Sequence, residues 1–554
     1  MANEKSALDD IVRNTSDENV DPNFLDLKSL DSDALALAQM GYTQEMKRNY
    51  TWFSLLGVGF SLTNSWWGIS AALITGINSG GPVQIVYGLL FFALVSTCVG
   101  ISLSELASAL PNAGGQYFWA NELAPKRYAN FASYLTGWFA WAGSIFTSAS
   151  VALATASAVV GCWQLSHPDF VILPWHVWVG YLVINIFAFT WNCYAKWLPV
   201  IAQVSIFTSL ISFFIILVTV PAKAPTHQDA KFVFANFVNN TGWSANGIAF
   251  IVGLINTNYA FACLDCATHL AEEVNRPEKM VPIAIMGTVA IGFVTSWFYS
   301  IALFFSMNNL NDLQTTSTLV PILALFYQAL GSKAGAIVLE SLFIATGIWC
   351  LVASHTWQSR LCWSFARDGG LPFSKFLSHV DPRVDVPLRA HFVSCVIVTV
   401  LGLLYLGSYT AFNSMVTACI VLLYVSYSIP VICLLVKGRN NIHHGPFWLG
   451  PFGLFANIVL LLWTCFTIIM YSFPPVKPVT GGSKSSIACL WEFCVRDVQW
   501  LIGAADMNYV SAVYGVVVFI IVVDWFVRGK RGYRGQTLRR EEAEANLTGG
   551  EIVH

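Results

Sequence analysis

Residues 51–527 hold only 35 Asp, Glu, Lys and Arg in 477 positions. That is about 7%, against about 25% in ordinary soluble domains. So few charges cannot cover a water-facing surface, and most of this stretch must face lipid. The remaining charges crowd the ends, 15 in residues 1–50 and 10 in residues 528–554. The net charge is −2, and no basic run or Cys/His framework points to a nucleic-acid partner. Of the 13 Cys, most lie inside apolar runs, as do Cys98, Cys162, Cys263, Cys266 and Cys350. There they read as small hydrophobes. Residues 1–46 are acidic and polar, with no apolar core followed by a cleavage site, so the first span is expected to act as its own signal.

A spanning helix needs about 20 apolar residues. Twelve such runs are expected near 51–77, 82–110, 131–162, 171–194, 199–221, 246–271, 281–306, 335–358, 390–407, 411–436, 452–473 and 507–527. The third is long enough to tilt or break. Open sheets do not survive in hydrocarbon, so the expected fold class is an all-α polytopic membrane protein of 12 transmembrane helices. With the N-terminus cytosolic, the inner segments carry 23 Lys and Arg and the outer segments 6. That asymmetry supports the count and puts both termini in the cytosol. The expected organisation is a cytosolic tail over 1–50, a membrane domain over 51–527 and a second cytosolic tail over 528–554.

Two runs look broken. The first passes through Gly57, Gly59, Ser61, Thr63, Asn64, Ser65, Trp66, Trp67 and Gly68. The sixth passes through Asn256, Asn258, Tyr259, Phe261, Cys263, Asp265 and Cys266. Small and polar residues also serve close helix packing. Broken helices, however, free backbone groups at mid-membrane and are tolerated only beside protein or a cavity. Breaks five helices apart are what a LeuT-like inverted 5+5 repeat produces, here followed by two C-terminal helices.

Three segments carry a resemblance. Glu105-Leu106 leads through Pro111 to Gly114-Gly115-Gln116-Tyr117, Glu272-Glu273 to Pro277 and Pro282, and Ser359-Arg360 to Ala366-Arg367-Asp368-Gly369-Gly370-Leu371-Pro372. These resemble signatures of the amino acid–polyamine–organocation superfamily of secondary transporters, over about residues 45–530. Residues 57–70, 249–255, 263–269, 282–295, 355–367 and 445–450 resemble its fungal amino acid/choline transporter branch. The resemblance implies a plasma-membrane transporter importing choline, with ethanolamine as a further substrate and a co-transported proton. The alternative from the same branch is a permease for 4-aminobutyrate or another amino acid. No cofactor is implied. Some bacterial relatives carry a lysine switch in the fifth helix, but residues 199–221 contain no Lys, Arg, Asp or Glu, so that device is not carried over. Residues 481–506 also depart from the family pattern. They read as translated intron, or as an outer loop in which Cys489 and Cys494 are close enough in sequence to pair.

Choline's quaternary nitrogen has no N–H, so aromatic faces are the expected means of holding it. The candidate substrate residues are Asn64, Ser65, Trp66, Trp67, Tyr259, Phe261 and Asp265, with Phe343 and Trp349 ranked lower. Most rings in a chain that is 14% aromatic must be core or interface belt. An isolated carboxylate such as Asp265 is expensive in a membrane. It reads as the counter-charge for the substrate, as the proton carrier, or as a helix-to-helix bond. Glu105, Arg360 and Arg367 read as an inner gate or as surface anchors, and Glu340 and Asp524 as solvated helix-end residues. His269 shares a helical face with Asp265. The ten His show no metal spacing, so no metal is expected. A membrane enzyme of choline lipid metabolism would need clustered carboxylate or His ligands. A nutrient sensor would be expected to carry longer tails.

Asn239-Asn240-Thr241 is a glycosylation sequon in the outer loop between the fifth and sixth runs. Endoglycosidase should shift the wild-type protein but not Asn239→Gln. A glycan on Asn546 would overturn the twelve-span arrangement.

Overall fold

The computed structural model describes residues 32–42, 44–407, 409–474, 509–533 and 535. The segment 481–506, with Cys489 and Cys494, lies outside them, as do Asn14 and Asn546. The chain divides into a unit ending at Gln44 and a unit from Glu45 onward. Among its described residues the first unit contributes one short helix, Ser32–Gln39, which stops where Gly41 turns left-handed.

The second unit is helical almost throughout. Its main helices are α1 (Trp52–Thr63), α2 (Ser65–Ala71), α3 (Leu73–Asn78), α4 (Pro82–Ala109), α5 (Gln116–Leu123), α6 (Ala129–Ser166), α7 (Pro174–Trp191) and α8 (Leu198–Lys223). Then follow α9 (Asn246–Tyr259), α10 (Pro277–Phe305), α11 (Pro321–Leu330), α12 (Lys333–Arg367), α13 (Leu388–Gly402), α14 (Tyr409–Lys437), α15 (Pro451–Met470) and α16 (Val510–Asp524). Local chemistry sets where they begin. Thr51 and Ser54 form a capping box at α1. Pro82, Pro174, Pro277, Pro321 and Pro451 open their helices at positions whose N–H would have no partner anyway.

Nine helices among the described residues are long and apolar enough to cross a membrane. The three expected runs missing from that number are informative. Two are the first and the sixth, which are interrupted. The other is α7, where three Trp, His176 and Asn185 dilute the apolar run. The long third run does not break. It forms the unbroken 38-residue α6, about 57 Å at 1.5 Å per residue.

Burial shows how these helices are arranged. In α6, 78% of the most apolar window is inside the protein, against 17% in α16. So α6 is a central post, packed on α5, α12 and α14, while α16 shows most of its surface outward. A second group packs α10 against α4 and α1. Between α8 and α9, Val238–Asn239 pairs antiparallel with Ser79–Gly80. There the Asn239 Nδ2 donates to Trp243 O at 2.8 Å.

At the end of the bundle holding the C-terminus of α12, charges are buried and paired. Arg360 Nε donates to Glu273 Oε1 at 2.9 Å and its second amino group to Oε2 at 3.3 Å. Arg367 binds Glu272 in the same two-pronged way, at 2.6 and 3.0 Å, and lies over the Trp363 ring. Glu105 pairs instead with Arg439, at 2.8 and 3.0 Å, and accepts the Leu449 N–H. The expected grouping of Glu105 with Arg360 and Arg367 is therefore corrected. Nor are these surface anchors, since Glu105 and Arg360 are at most 1% exposed. Just before α1, burial and then the neighbouring Glu273 push the Tyr50 phenol well above its ordinary range.

Removing one member of a buried pair strands the other charge, which costs about 3–5 kcal/mol, whereas replacing both members with apolar residues is often neutral. Glu273→Gln should therefore lower the melting temperature of the detergent-solubilised protein clearly. Glu273→Leu combined with Arg360→Leu should recover most of the loss. Equal melting of single and double variants would show that the pair does not hold this end together.

Candidate functional site

The first break is one residue long. Asn64 separates α1 from α2 in the left-handed region, with φ 31° and ψ 65°, a conformation Asn tolerates better than most residues. Its Oδ1 accepts from Ser209 Oγ at 3.0 Å, and that hydroxyl accepts the Trp66 indole N–H at 2.9 Å. Thus α8 ties the break to its first Trp. Trp66 also packs at 5.3 Å from the Tyr299 ring of α10. Trp67 points elsewhere, as adjacent helical residues do. It stacks on Phe343 of α12 at 5.0 Å and donates to the Phe343 carbonyl. Trp349, the other ring considered on α12, packs on Trp191 of α7.

The second break is longer. α9 ends at Tyr259, Cys263 takes a positive φ of 66°, and a tight helix resumes over Cys266–Glu273. Tyr259 exchanges a hydrogen bond with Ser150 of α6 at 2.7 Å, while Phe261 is 1% exposed. The two breaks touch. Asn256 Nδ2 donates to Ile69 O at 3.2 Å. Gly68 lies so close to the sixth run that a Cβ there would be 3.0 Å from the Ala260 Cα. Ser65 and Phe261 meet at Gly292 of α10, where a Cβ would lie 2.4 Å from Ser65 Oγ and 3.6 Å from Phe261 Cε1. Ser65 Oγ and Asn64 Nδ2 are buried with no hydrogen-bond partner among the described residues.

Asp265 sits immediately after the second break and is fully buried. Its Oδ1 accepts from Tyr427 OH at 2.5 Å and its Oδ2 from Gln116 Nε2 at 2.7 Å. His269 Nε2 lies 3.3 Å from the same Oδ2, and its Nδ1 lies 2.8 Å from Ala113 O. A carbonyl oxygen only accepts, so the geometry assigns a hydrogen to Nδ1. The Nε2 contact is then attractive when a further hydrogen lies between ring and carboxylate. The sequence placed His269 on the face of Asp265. It gave no sign of Gln116 or Tyr427, because those partners arrive from α5 and α14.

Several expectations need correcting. Glu340 is not solvated. It is 0% exposed, and neither carboxylate oxygen has a hydrogen-bond partner among the described residues. Asp524 is paired, with Arg528 at 2.7 Å and with the Tyr134 hydroxyl. A possible metal-ligand set also exists. His391 and Cys395 are one turn apart on α13, and His355 of α12 lies across from them. Both His Nδ1 atoms are 3.6 Å from Cys395 Sγ, which is also an ordinary thiol-to-imidazole contact. Only tertiary packing makes this group, so spacing between His residues could not reveal it.

Beside the second break lies a cavity of about 10 Å³, lined by Phe261, Cys263, Leu264, Leu423, Tyr424 and Tyr427 among others. It has room for about one water. That space is too small for a solute larger than water.

Comparison with known proteins fits a chain built this way. The model of a family described as amino acid permease matches residues 50–495. The "Choline transporter" of Saccharomyces cerevisiae is 51% identical over 501 residues, covering 90% of this chain and 85% of that protein. The "7-keto 8-aminopelargonic acid transporter" of the same yeast is 34% identical, covering 86% and 91% of the two chains. The "Swainsonine transporter swnT" of Arthroderma benhamiae is 35% identical, covering 88% and 92%. These relatives are transporters and permeases rather than enzymes, and the chain belongs to the amino acid permease family.

Proposed function

We propose that the protein imports choline, with ethanolamine as a second substrate, across the plasma membrane by alternating access coupled to protons. The observation that carries this reading is the 51% identity, over 90% of the chain, to a protein named as a choline transporter. The site chemistry agrees with it. Aromatic rings, Trp66, Trp67, Tyr259 and Phe261 among them, stand beside the two breaks and offer the faces that a quaternary ammonium calls for. Relatives named for 7-keto 8-aminopelargonic acid and for swainsonine favour the second reading, a permease for 4-aminobutyrate or another amino acid.

The same reading takes the molecule as twelve spans, an inverted repeat of five plus five followed by two. Both tails, 1–50 and 528–554, face the cytosol, and Asn239 bears a glycan. The two interrupted helices support the repeat, because each break sits where its half requires one. The buried pairs of Arg360 and Arg367 with Glu273 and Glu272 form the inner gate. Glu105, occupied by Arg439, braces that end. Asp265 carries the coupled proton, shared with His269, and the three groups around it support that role.

Labelled choline, ethanolamine and 4-aminobutyrate, competed against one another in a permease-deficient fungal strain, decide the substrate. Choline is expected to win, and selective inhibition by 4-aminobutyrate alone would replace it. A potential of 100 mV concentrates a monovalent cation about fifty-fold without any coupling. Uptake is therefore measured at clamped voltage while external pH varies, and it is expected to rise as pH falls. A flat profile removes the proton. Asp265→Asn should keep choline exchange across the membrane and lose proton-driven accumulation.

A further inference from the structure

Asp265 and Glu340 are both buried carboxylates, and their surroundings differ in kind. Asp265 already accepts from Gln116 and Tyr427 and touches His269. Both of its oxygens are thus already engaged by neighbouring side chains. Glu340 is 0% exposed, and neither of its oxygens accepts from any described residue. Tyr299 of α10 and Cys162 of α6 are near enough to feel its charge. No described Lys, Arg or His forms an ion pair with it. A carboxylate held from water without donors or a counter-charge is expensive, and inside a membrane such a residue marks a substrate or ion path.

Its neighbours are the rings that a quaternary ammonium calls for. Glu340, Phe343 and Gly347 stand at i, i+3 and i+7 on one face of α12. Trp67 stacks on Phe343 and lies against Gly347, where a Cβ would come within 3.0 Å of its ring. Tyr299 stands against Trp66 and bonds Ser70 at 2.8 Å. The carboxylate thus shares the α12 face on which Trp67 is seated, and it is near enough to Tyr299 for the two to interact electrostatically.

We propose that Glu340, and not Asp265, supplies the negative charge that receives the substrate's ammonium group between the Trp66–Tyr299 and Trp67–Phe343 pairs. This rests on the cationic-substrate reading above and separates two jobs. Glu340 balances the cargo, and Asp265 handles the proton. Charge and ring faces together select a permanently charged trimethylammonium over a neutral amine.

The test is labelled choline uptake by cells expressing wild type, Glu340→Gln and Glu340→Asp at matched surface levels. Glu340→Gln removes the charge at nearly constant volume. Its KM for choline should rise at least about tenfold, as loss of one partner of a buried charge pair does. Its Vmax should change less, and Glu340→Asp should recover part of the affinity. A purely structural carboxylate would lower surface level and Vmax and leave KM alone, and that result overturns the inference. So does Glu340→Gln that binds choline normally but loses only the pH dependence of accumulation, since Glu340 then carries the proton. If Glu340→Gln fails to reach the surface, Glu340→Asp decides, because an unchanged KM overturns the assignment and a severalfold rise supports it. If wild type takes up no ammonium compound, the transport reading itself falls, and this one falls with it.

Discussion

A peptide group released from a helix inside hydrocarbon has no water to turn to. Every irregular residue at mid-membrane must therefore be answered by the protein, and the middle of this bundle is organised around that debt. The left-handed turn at Asn64 is answered by Ser209 of α8. Leu62 O, freed at the end of α1, accepts from Cys350 of α12. Ala262 O, in the second break, accepts from Thr63 in the first. Each break thus recruits neighbouring helices, and each also helps to satisfy the other. The site exists because these helices have to gather there.

Much of this was legible from residues alone. Charge starvation gave the membrane class, and Gly, Asn, Ser and Asp inside apolar runs marked both breaks. The Glu272-Glu273 motif and the Arg360 and Arg367 motif were visible separately, but their pairing was not. They lie about 90 positions apart, and only the return of the unwound segment beneath α12 joins them. Glu340 was misread because a carboxylate seven residues from a helix start looks like an end residue. Helix α12 does begin at an exposed end, with Lys333 and Ala334 outward, but Glu340 stands on its inward face with the buried Ala336 and Phe343. Trp66 and Trp67 read as one paired feature, although each serves a different wall.

The tight fit around the breaks bears on selectivity. With room for about one water, the cavity beside the second break is no preformed mould of a solute. A solute larger than water enters there only with movement of the lining side chains.

Helix α12 has no break over its 35 residues, and it holds Glu340, the seat of Trp67, the thiol bound to Leu62, and Arg360. Glu340 and Arg360 are separated by about 30 Å of continuous helix. A rod of this kind does not stretch, so it acts as a lever. A tilt that opens space beside Glu340 must displace Arg360 against Glu273 at the far end. Movement at one end is thereby transmitted to the other by the stiffness of a single helix.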